Sequence, residues 1–235
     1  MATEYNRSKI VTDNLVLYLD AGNTKSYTSS SPTTWNDISG NGNNATLVHS
    51  PTHTSGVDGY FTFDGANDYA KIDDSSDFLF GTGSFTEEAW HKRDGNTGWE
   101  NPISRYDPGS WGGLWMSNEK FYPYHYGESS NVTFNANMSV GTDWVHHVAV
   151  TFNSGSAVTI RVYKNSALQA VQSTTVSGWQ PKGTSVGDSD VYIGGNMGSY
   201  WYDGKIAVCR IYKGKGLSAT EIKQNFDAQK SRYGF

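Results

Sequence analysis

The sequence of 235 residues lacks features on which several classes of protein depend. It contains a single cysteine, Cys209, so no disulfide can form within the chain and the fold must be stabilised by burial of apolar side chains. Lys and Arg never form a run, and the formal net charge is −5, so no basic surplus can neutralise a phosphate backbone. We therefore expect no nucleic acid among its partners.

Long apolar segments are missing as well. The longest, residues 15–19, is far too short to span a bilayer, and no apolar stretch typical of an export signal follows the polar residues 1–9. We expect no insertion into a membrane, and synthesis in the cytoplasm without a signal peptide.

What the sequence does contain is typical of a β-protein. Aromatic residues make up 14% and charged residues 17%, and 26 glycines are scattered between short apolar segments, as in chains of many strands joined by tight turns. Residues 144–152 alternate with a period of two, which predicts a strand. Ser218 and Glu221 have the spacing of a capping box, which predicts the start of one short helix.

Together these patterns predict an all-β fold. We expect a two-sheet antiparallel sandwich of the jelly-roll type, with one short helix near the C-terminus. The length of the chain fits a single unit. We expect residues 1–14 to form an extended N-terminal arm and residues 15–235 to form one domain.

Several segments, in consistent order, resemble a known family. They include L-V-L-Y-L-D-A-G-N at residues 15–23, F-D-G-A-N-D-Y at 63–69, W-V-H-H-V-A-V-T-F at 144–152 and D-G-K-I-A-V-C-R-I-Y at 203–212. In these segments the sequence resembles the LamG-like (laminin G type 3) domains of the concanavalin A-like lectin/glucanase superfamily. The resemblance implies a jelly roll of two curved antiparallel sheets. Stand-alone domains of this type look like those of bacteriophage virion proteins, which implies a location on a virion surface.

The superfamily includes retaining glucanases, which need two carboxylates about 5 Å apart on one face. Those enzymes carry Glu-x-Asp-x-Glu or Glu-x-Asp-x-x-Glu on one strand, and none of the seven glutamates here begins such a pattern. Glu87 and Glu88 are adjacent, so on a strand they point to opposite faces. The sequence also has no H-x-H or H-E-x-x-H spacing for zinc. We predict a protein that is not an enzyme.

The sequence instead favours ligand binding by aromatic rings. Sugars lay their C–H faces on flat rings while their hydroxyls pair with amides and carboxylates. Whether the aromatic side chains here belong to the core or to the surface stays open at this point. The candidate ligand-binding residues are Trp99, Trp111, Tyr122, Tyr124, Tyr126, Tyr200 and Trp201.

Two functions of different classes fit these residues. The first is a non-catalytic carbohydrate-binding or adhesion domain that contacts host-surface glycans from the virion surface. The second is a structural virion protein, as in capsid decoration or a tail or fibre accessory, that acts through protein interfaces with other virion proteins or by self-assembly. In the second case the N-terminal arm would add a strand to a neighbour.

A structural calcium ion is a further possibility that the resemblance implies. The candidate ligands are Asp64, Asn67, Asp68 and Asp203. Their spacing does not match an EF-hand, and Asp64 followed by Gly65 is also a good turn dipeptide that Asn67 and Asp68 can cap. Both interpretations of this corner stay open.

Overall fold

The computed structural model describes residues 9–94, 98–107, 110–117, 120–126, 131–133, 143–175, 190–195 and 200–235, with the backbone alone for 106–107, 110–111, 120–126 and 131–133. Its strands, in chain order, are β1 (Leu15–Asp20), β2 (Thr34–Trp35), β3 (Ala45–Val48), β4 (Thr52–Thr54), β5 (Tyr60–Asp64), β6 (Tyr69–Ile72), β7 (Phe85–Arg93), β8 (Trp99–Asp107), β9 (Ser110–Ser117), β10 (Lys120–Tyr126), β11 (Asn131–Thr133), β12 (Val145–Asn153), β13 (Val158–Lys164), β14 (Ala167–Thr174), β15 (Asp190–Ile193) and β16 (Asp203–Lys213). The α-helix, α1, is Ala219–Gln229, and short 3-10 turns occupy Ser76–Phe78 and Lys230–Arg232.

The strands form two antiparallel sheets, so the predicted two-sheet sandwich is confirmed. Sheet 1 has the order β14-β13-β12-β7-β16-β5-β4, and β1 also pairs with β16. Sheet 2 has the order β11-β10-β9-β8-β15-β6-β3-β2. Neighbours in space are often distant in sequence, as in the pairing of β16 with β7, which is typical of a jelly roll.

The core lies between the inner faces of the two sheets. Sheet 1 contributes Phe61 and Phe63 from β5, and sheet 2 contributes Ala70 and Ile72 from β6, all buried in one apolar cluster. Alternate residues of these strands point inward because side chains of a strand alternate between its two faces. Trp35 is also fully buried in this cluster.

Helix α1 covers the outer face of sheet 1. It begins as predicted: the backbone N–H of Glu221 donates to Ser218 Oγ at 3.3 Å, and the backbone N–H of Ser218 donates to Glu221 Oε2 at 2.8 Å. Ile222 packs with Val148 on β12, and Phe226 stacks on Trp90 of β7 with ring centroids 5.6 Å apart. In the described part of the chain, no helix is long and apolar enough to cross a membrane.

The described part of the predicted N-terminal arm packs on its own domain. The backbone N–H of Val11 donates to Asn225 Oδ1 at 2.8 Å, and the Tyr212 hydroxyl donates to the Val11 carbonyl at 3.0 Å. Residues 1–8 lie outside the described residues. Residues 9–14 thus help to cover the outer face of sheet 1 together with α1.

Candidate functional site

The outer face of sheet 2 carries aromatic side chains. On β6, Tyr69 alternates with core residues Ala70 and Ile72, and on β15 Tyr192 lies between the core residues Val191 and Ile193. Because side chains alternate along a strand, both tyrosines face away from the core.

Trp201, from the segment before β16, completes a group of three rings with these tyrosines. Its indole stacks on Tyr69 with ring centroids 5.8 Å apart and planes inclined by 29°, and the Tyr69 centroid lies 5.9 Å from that of Tyr192. Tyr69 and Trp201 are half-buried, whereas Tyr192, on the neighbouring strand β15, is 2% exposed. Stacking of this kind is a favourable arrangement of two aromatic rings.

The glycine pair after β15 determines where Trp201 lies. Gly194 has a φ of +83°, which favours glycine, and a Cβ at Gly195 would come within 2.7 Å of the Trp201 ring. The hydroxyl of Ser104 on β8 donates to the Gly195 carbonyl at 2.6 Å, and the backbone N–H of Tyr202 donates to the Gly194 carbonyl at 2.9 Å. The indole therefore rests directly on the backbone of Gly195.

A second group of rings adjoins the first through the covalent neighbours Tyr200 and Trp201. Trp115 lies between the core residues Leu114 and Met116 of β9, so it also faces outward. Its ring centroid lies 5.3 Å from that of Tyr200 and 6.1 Å from that of Trp99, in edge-to-face geometry. Trp99 is 45% exposed and Tyr200 half-buried, while Trp115 is 4% exposed. We call the six side chains of the two groups the aromatic patch: Tyr69, Trp99, Trp115, Tyr192, Tyr200 and Trp201.

Tyr200 has an unusual backbone conformation. Its φ is +59°, in the left-handed region that bulky side chains rarely adopt and that costs about 1–2 kcal/mol. Strained backbone of this kind persists where the surrounding structure holds it, and it clusters at functional sites. In this conformation the Tyr200 ring contacts that of Trp115.

Polar side chains form one edge of the patch. Lys71 Nζ lies 3.0 Å from Asp73 Oδ1 and 3.0 Å from Asp190 Oδ2, and these two carboxylates raise the pKa of Lys71. The Tyr192 hydroxyl donates to Asp190 Oδ2 at 3.2 Å, and burial together with the Asp190 charge raises the pKa of Tyr192 to about 12. Asp73 is 89% exposed, so both an amine and a carboxylate are accessible beside the rings.

The sequence-predicted ligand-binding residues fall into two sets. Trp99, Tyr200 and Trp201 lie in the aromatic patch. The other four are on strands of sheet 2 whose pairing is described, with Tyr122 opposite Trp115 and Tyr124 opposite Gly113. Their side chains lie outside the described residues; these are Trp111, Tyr122, Tyr124 and Tyr126.

Sequence reasoning missed Tyr69, Lys71 and Tyr192. Tyr69 ends the segment at residues 63–69 that carries the family resemblance, and Tyr192 lies outside the segments that carry it. The signal that could have found them is the alternation of each tyrosine with small or aliphatic core residues, which places a large polar-tipped ring on the outer face.

The corner at residues 64–68 has the geometry of a capped turn. Asp64 Oδ1 accepts the backbone N–H groups of Ala66, Asn67 and Asp68 at 2.9, 3.0 and 3.2 Å. Although partial burial raises the pKa of Asp64, these bonds outweigh it and lower the pKa. Asp203 lies opposite Asp64 in the ladder between β5 and β16.

These contacts support the turn interpretation of the corner without testing the ion. Among the residues that the structure describes, no three His, Cys, Asp or Glu side chains are arranged to hold a metal ion. Calcium at Asp64, Asn67, Asp68 and Asp203 stays a prediction.

The two adjacent glutamates of β7 point to opposite faces, as predicted. Glu87 Oε1 lies 3.4 Å from Arg105 Nε on the inner side, and burial raises the pKa of Glu87 despite that charge. Glu88 pairs with Arg210 on the helix side and accepts a bond from Asn225 Nδ2 at 2.9 Å. Although burial raises the pKa of Glu88, the Arg210 guanidinium outweighs it and lowers the pKa to about 2. Each carboxylate is thus engaged with its own arginine.

Three histidines are buried inside the sandwich or under α1. His91 Nε2 lies 2.5 Å from His147 Nδ1, and His91 Nδ1 lies 2.8 Å from the Tyr202 hydroxyl. Burial and the nearby Arg93 charge lower the pKa of His91 to about 3, and burial lowers that of His147 well below its usual value. His146, on the other face of β12, stacks on Trp90. His146 and His147, adjacent on β12, thus lie on opposite faces of the sheet.

A separate groove lies beside the end of β1. It is lined by Gly22, Tyr27, His53 and Val57 among others. The Tyr27 and His53 ring centroids lie 4.8 and 5.0 Å from that of core residue Phe61, so these rings pack inward.

Comparisons with solved structures show the fold. The chain is 17% identical to domain 4 of an extracellular arabinanase from Geobacillus stearothermophilus, in complex with arabinotriose, with a TM-score of 0.64 over 90% of this chain and 98% of that one. It is 17% identical to Trypanosoma rangeli sialidase in complex with 2,3-difluorosialic acid, with a TM-score of 0.65 over 94% of this chain and 34% of that one.

A third similar structure is that of botulinum neurotoxin type C, whose cell entry depends on interaction with two ganglioside molecules. Identity is 14% and the TM-score 0.66, over 93% of this chain and 52% of that one. The chain therefore spans almost all of the arabinanase domain but about half or less of the other two.

Sequence comparison identifies the family. No curated protein sequence matches the chain significantly. The profile of the laminin G type 3 family, described as the concanavalin A-like lectin/glucanases superfamily, matches residues 64–223, which is more than half of the chain. That segment contains all six side chains of the aromatic patch. The chain belongs to the concanavalin A-like lectin/glucanases superfamily.

Proposed function

We propose that this protein is a non-catalytic carbohydrate-binding domain whose ligand lies on the aromatic patch. The observation that carries the proposal is the stacked pair Tyr69 and Trp201 on the outer face of sheet 2. An aromatic face gives a sugar a flat apolar surface for its C–H groups. Lys71 and Asp73 at the edge of the patch provide a donor and an acceptor for hydroxyls.

The patch suits a sugar because its rings are held in place before a ligand arrives. Gly195 supports Trp201 from below, and Trp115 packs against Tyr200. Rings that are already ordered lose little conformational entropy when a ligand binds, so more of the contact energy contributes to affinity. Similar folds occur in structures with arabinotriose and in a neurotoxin that interacts with gangliosides, which is consistent with a glycan ligand.

The absence of catalysis is part of the proposal. Retaining glycosidases place two carboxyl groups about 5 Å apart on one face. Glu87 and Glu88 lie on opposite faces of β7 and each contacts an arginine. Purified protein that released reducing ends from a β-glucan would overturn this part of the proposal.

We also propose a biological setting for this binding: the protein lies on the surface of a phage virion and adheres to host-surface glycans. It is supported by the resemblance of this type of domain, with its N-terminal segment at residues 15–23, to stand-alone domains of phage virion proteins. Immunogold labelling of particles from the source of the sequence tests it; label on the particle exterior supports it, and label found only on non-particle fractions contradicts it.

Glycan-array screening tests the binding function. Wild-type protein and Trp201→Ala are applied to the same array, and thermal melting checks that both are folded. The proposal predicts binding of the wild type to a defined set of glycans and loss of that binding in the variant. Equal binding by the two proteins, or no binding by the wild type, contradicts it.

A structural role through protein interfaces is the second candidate, and strand β14 favours it. This edge strand of sheet 1, A-L-Q-A-V-Q-S-T, has no charged residue or proline, and its Leu168 and Val171 are 51% and 50% exposed. Edge strands usually carry charged residues or proline, because an unprotected edge pairs with other chains. Light scattering of the wild type and Val171→Lys tests it: assemblies that the lysine disperses support this role, and a monomer in both samples contradicts it.

A further inference from the structure

Carboxylates border the aromatic patch on the side of residues 64–68. Asp68 directly precedes Tyr69 on the chain, and Asp203 follows Trp201 by two residues. Asp64 is the ladder partner of Asp203. A Cβ at Gly65, the residue after Asp64, would lie 2.9 Å from Asp203 Cβ. Three carboxylates therefore lie within a few residues of the stacked pair, either along the chain or across the ladder.

The opposite edge of the patch has two more carboxylates, Asp73 and Asp190, with Lys71 between them. On the strands of sheet 2, Lys71 is the one lysine or arginine that faces outward among the described side chains. His49, whose ring centroid lies 6.2 Å from that of Tyr69, is the nearby imidazole. Among the described side chains, five aspartates stand against the ammonium of Lys71, and Arg93, which also acts on Asp203, is paired with Glu100, so a negative surplus remains.

Proton affinities at the patch agree with this charge count. Burial and the Asp64 charge raise the pKa of Asp68. Burial followed by the charges of Glu100 and Asp94 raises the pKa of Asp203; the Arg93 charge opposes this shift in part, and Asp64 adds to it. For both groups burial is the largest cause, and the smaller contribution of neighbouring carboxylates has the sign expected of a negative surplus.

We propose that the aromatic patch binds neutral saccharides and rejects glycans that carry sialic acid, uronic acid or sulfate. The inference rests on the proposed carbohydrate-binding function and adds the charge class of the ligand. A carboxylate or sulfate placed on Tyr69 and Trp201 would face like charges at both edges, and like-charge juxtaposition opposes binding. Lys71 cannot compensate, because Asp73 and Asp190 already neutralise it.

Neutral hydroxyls meet no such penalty. The ammonium of Lys71 has three N–H groups, of which the two carboxylates take two, so it can donate to a sugar hydroxyl. Asp73 is accessible as an acceptor from a second hydroxyl. Specificity by charge would thus separate this protein from its fold neighbours whose structures involve sialic acid derivatives or gangliosides.

The test is a glycan array on which each neutral oligosaccharide is printed beside its sialylated, sulfated or uronic acid counterpart. Wild type and Trp201→Ala are compared at pH 8 and low salt, where surface charges act over about 30 Å at 0.01 M. The inference predicts that the neutral member of each bound pair gives the stronger signal by about tenfold or more, equivalent to about 1.4 kcal/mol. Added salt should reduce the ratio of the neutral to the acidic signal, because salt screens the repulsion between an acidic glycan and the carboxylates.

The results of the array distinguish a failure of the charge preference from a failure of the proposed carbohydrate-binding function. Preference for neutral members that Trp201→Ala abolishes supports both. Preference for acidic members, also abolished by Trp201→Ala, overturns the charge inference and leaves carbohydrate binding intact. Binding that is unaffected by Trp201→Ala, or no binding at all, overturns the proposed function and this inference with it.

Discussion

The indole of Trp201 stacks on the phenol ring of Tyr69, with centroids 5.8 Å apart. The two residues come from different parts of the sequence, β6 and the segment before β16, and meet on the outer face of sheet 2. Gly195 supports the indole, and the ring centroid of Tyr192 lies 5.9 Å from that of Tyr69. This pair is the centre of the proposed carbohydrate site, and the predictions below follow from it and from the buried charges of sheet 1.

Replacing Tyr69 by alanine should weaken glycan binding about tenfold, because a ring contact contributes about 0.5–1.5 kcal/mol beyond the area it buries. Tyr60→Ala is the matched control: Tyr60 is also half-buried and packs on a tryptophan, Trp144, at 5.6 Å, but on sheet 1. Isothermal titration with the best array glycan measures both. Similar losses in the two variants would show that general destabilisation, and not the patch, is responsible.

Gly195→Ala should displace the Trp201 indole and reduce binding while the backbone keeps its shape, because the added Cβ would lie 2.7 Å from that ring. Gly216→Ala creates a comparable clash with the ring of Phe152, at 2.5 Å, away from the patch. The affinity ratio of the two variants is the measurement. If both bind as the wild type does, the position of Trp201 does not matter for the ligand.

Tyr200→Gly should be more stable than Tyr200→Ala by about 1 kcal/mol. Both changes remove the ring that contacts Trp115, but only glycine adopts a φ of +59° without strain. Urea denaturation gives the free energies of unfolding. Equal stability of the two variants would mean that the backbone relaxes when the ring is removed.

Acid should destabilise the fold through the buried histidine pair. The pKa of His91 is about 3 in the folded state against 6.5 for the free side chain, so the unfolded chain binds more protons as the pH falls from about 6.5 towards 3. Stability is therefore lost on acidification across that window, by about 1.4 kcal/mol per pH unit for each proton taken up. His147 adds to the slope, since its pKa is lowered as well.

Urea denaturation at a series of pH values between 4 and 8 checks this acid dependence. His91→Gln should make the dependence shallower, because it removes one of the protonation sites. A free energy of unfolding that stays constant over this range would contradict the burial of the pair.

Removing Glu88 should cost about 3–5 kcal/mol, because it leaves the fully buried Arg210 without its partner. Asp94→Asn is the control, since Asp94 and Lys205 pair at the surface and such pairs contribute about 0–1 kcal/mol. Chemical denaturation compares Glu88→Ala with this control. A similar small loss in both would mean that water reaches Arg210.

Local patterns in the sequence predicted the elements, whereas contacts between distant segments determined the site. The capping box at Ser218 was predictable because its partners are three residues apart. The opposite orientations of Glu87 and Glu88 followed from strand alternation alone. The stacking of Trp201 on Tyr69 did not follow, because it depends on Gly195 and on the pairing of β15 with β6, which no periodicity reveals.

The buried charged side chains also could not be predicted from local sequence patterns. Glu87, Glu88, Arg105 and Arg210 are fully or almost fully buried, although charged side chains are rarely buried. Each is compensated by a partner on another element, as Arg210 is by Glu88 across the ladder between β16 and β7. Such pairs become visible only when the register of the strands is known.

The structure of the protein crystallised with the best neutral glycan from the array tests the central claim most directly. The account predicts a sugar ring lying against Tyr69 and Trp201, with a hydroxyl within hydrogen-bond distance of Lys71 or Asp73. A glycan bound elsewhere, for example in the groove beside Tyr27 and Val57, would contradict it.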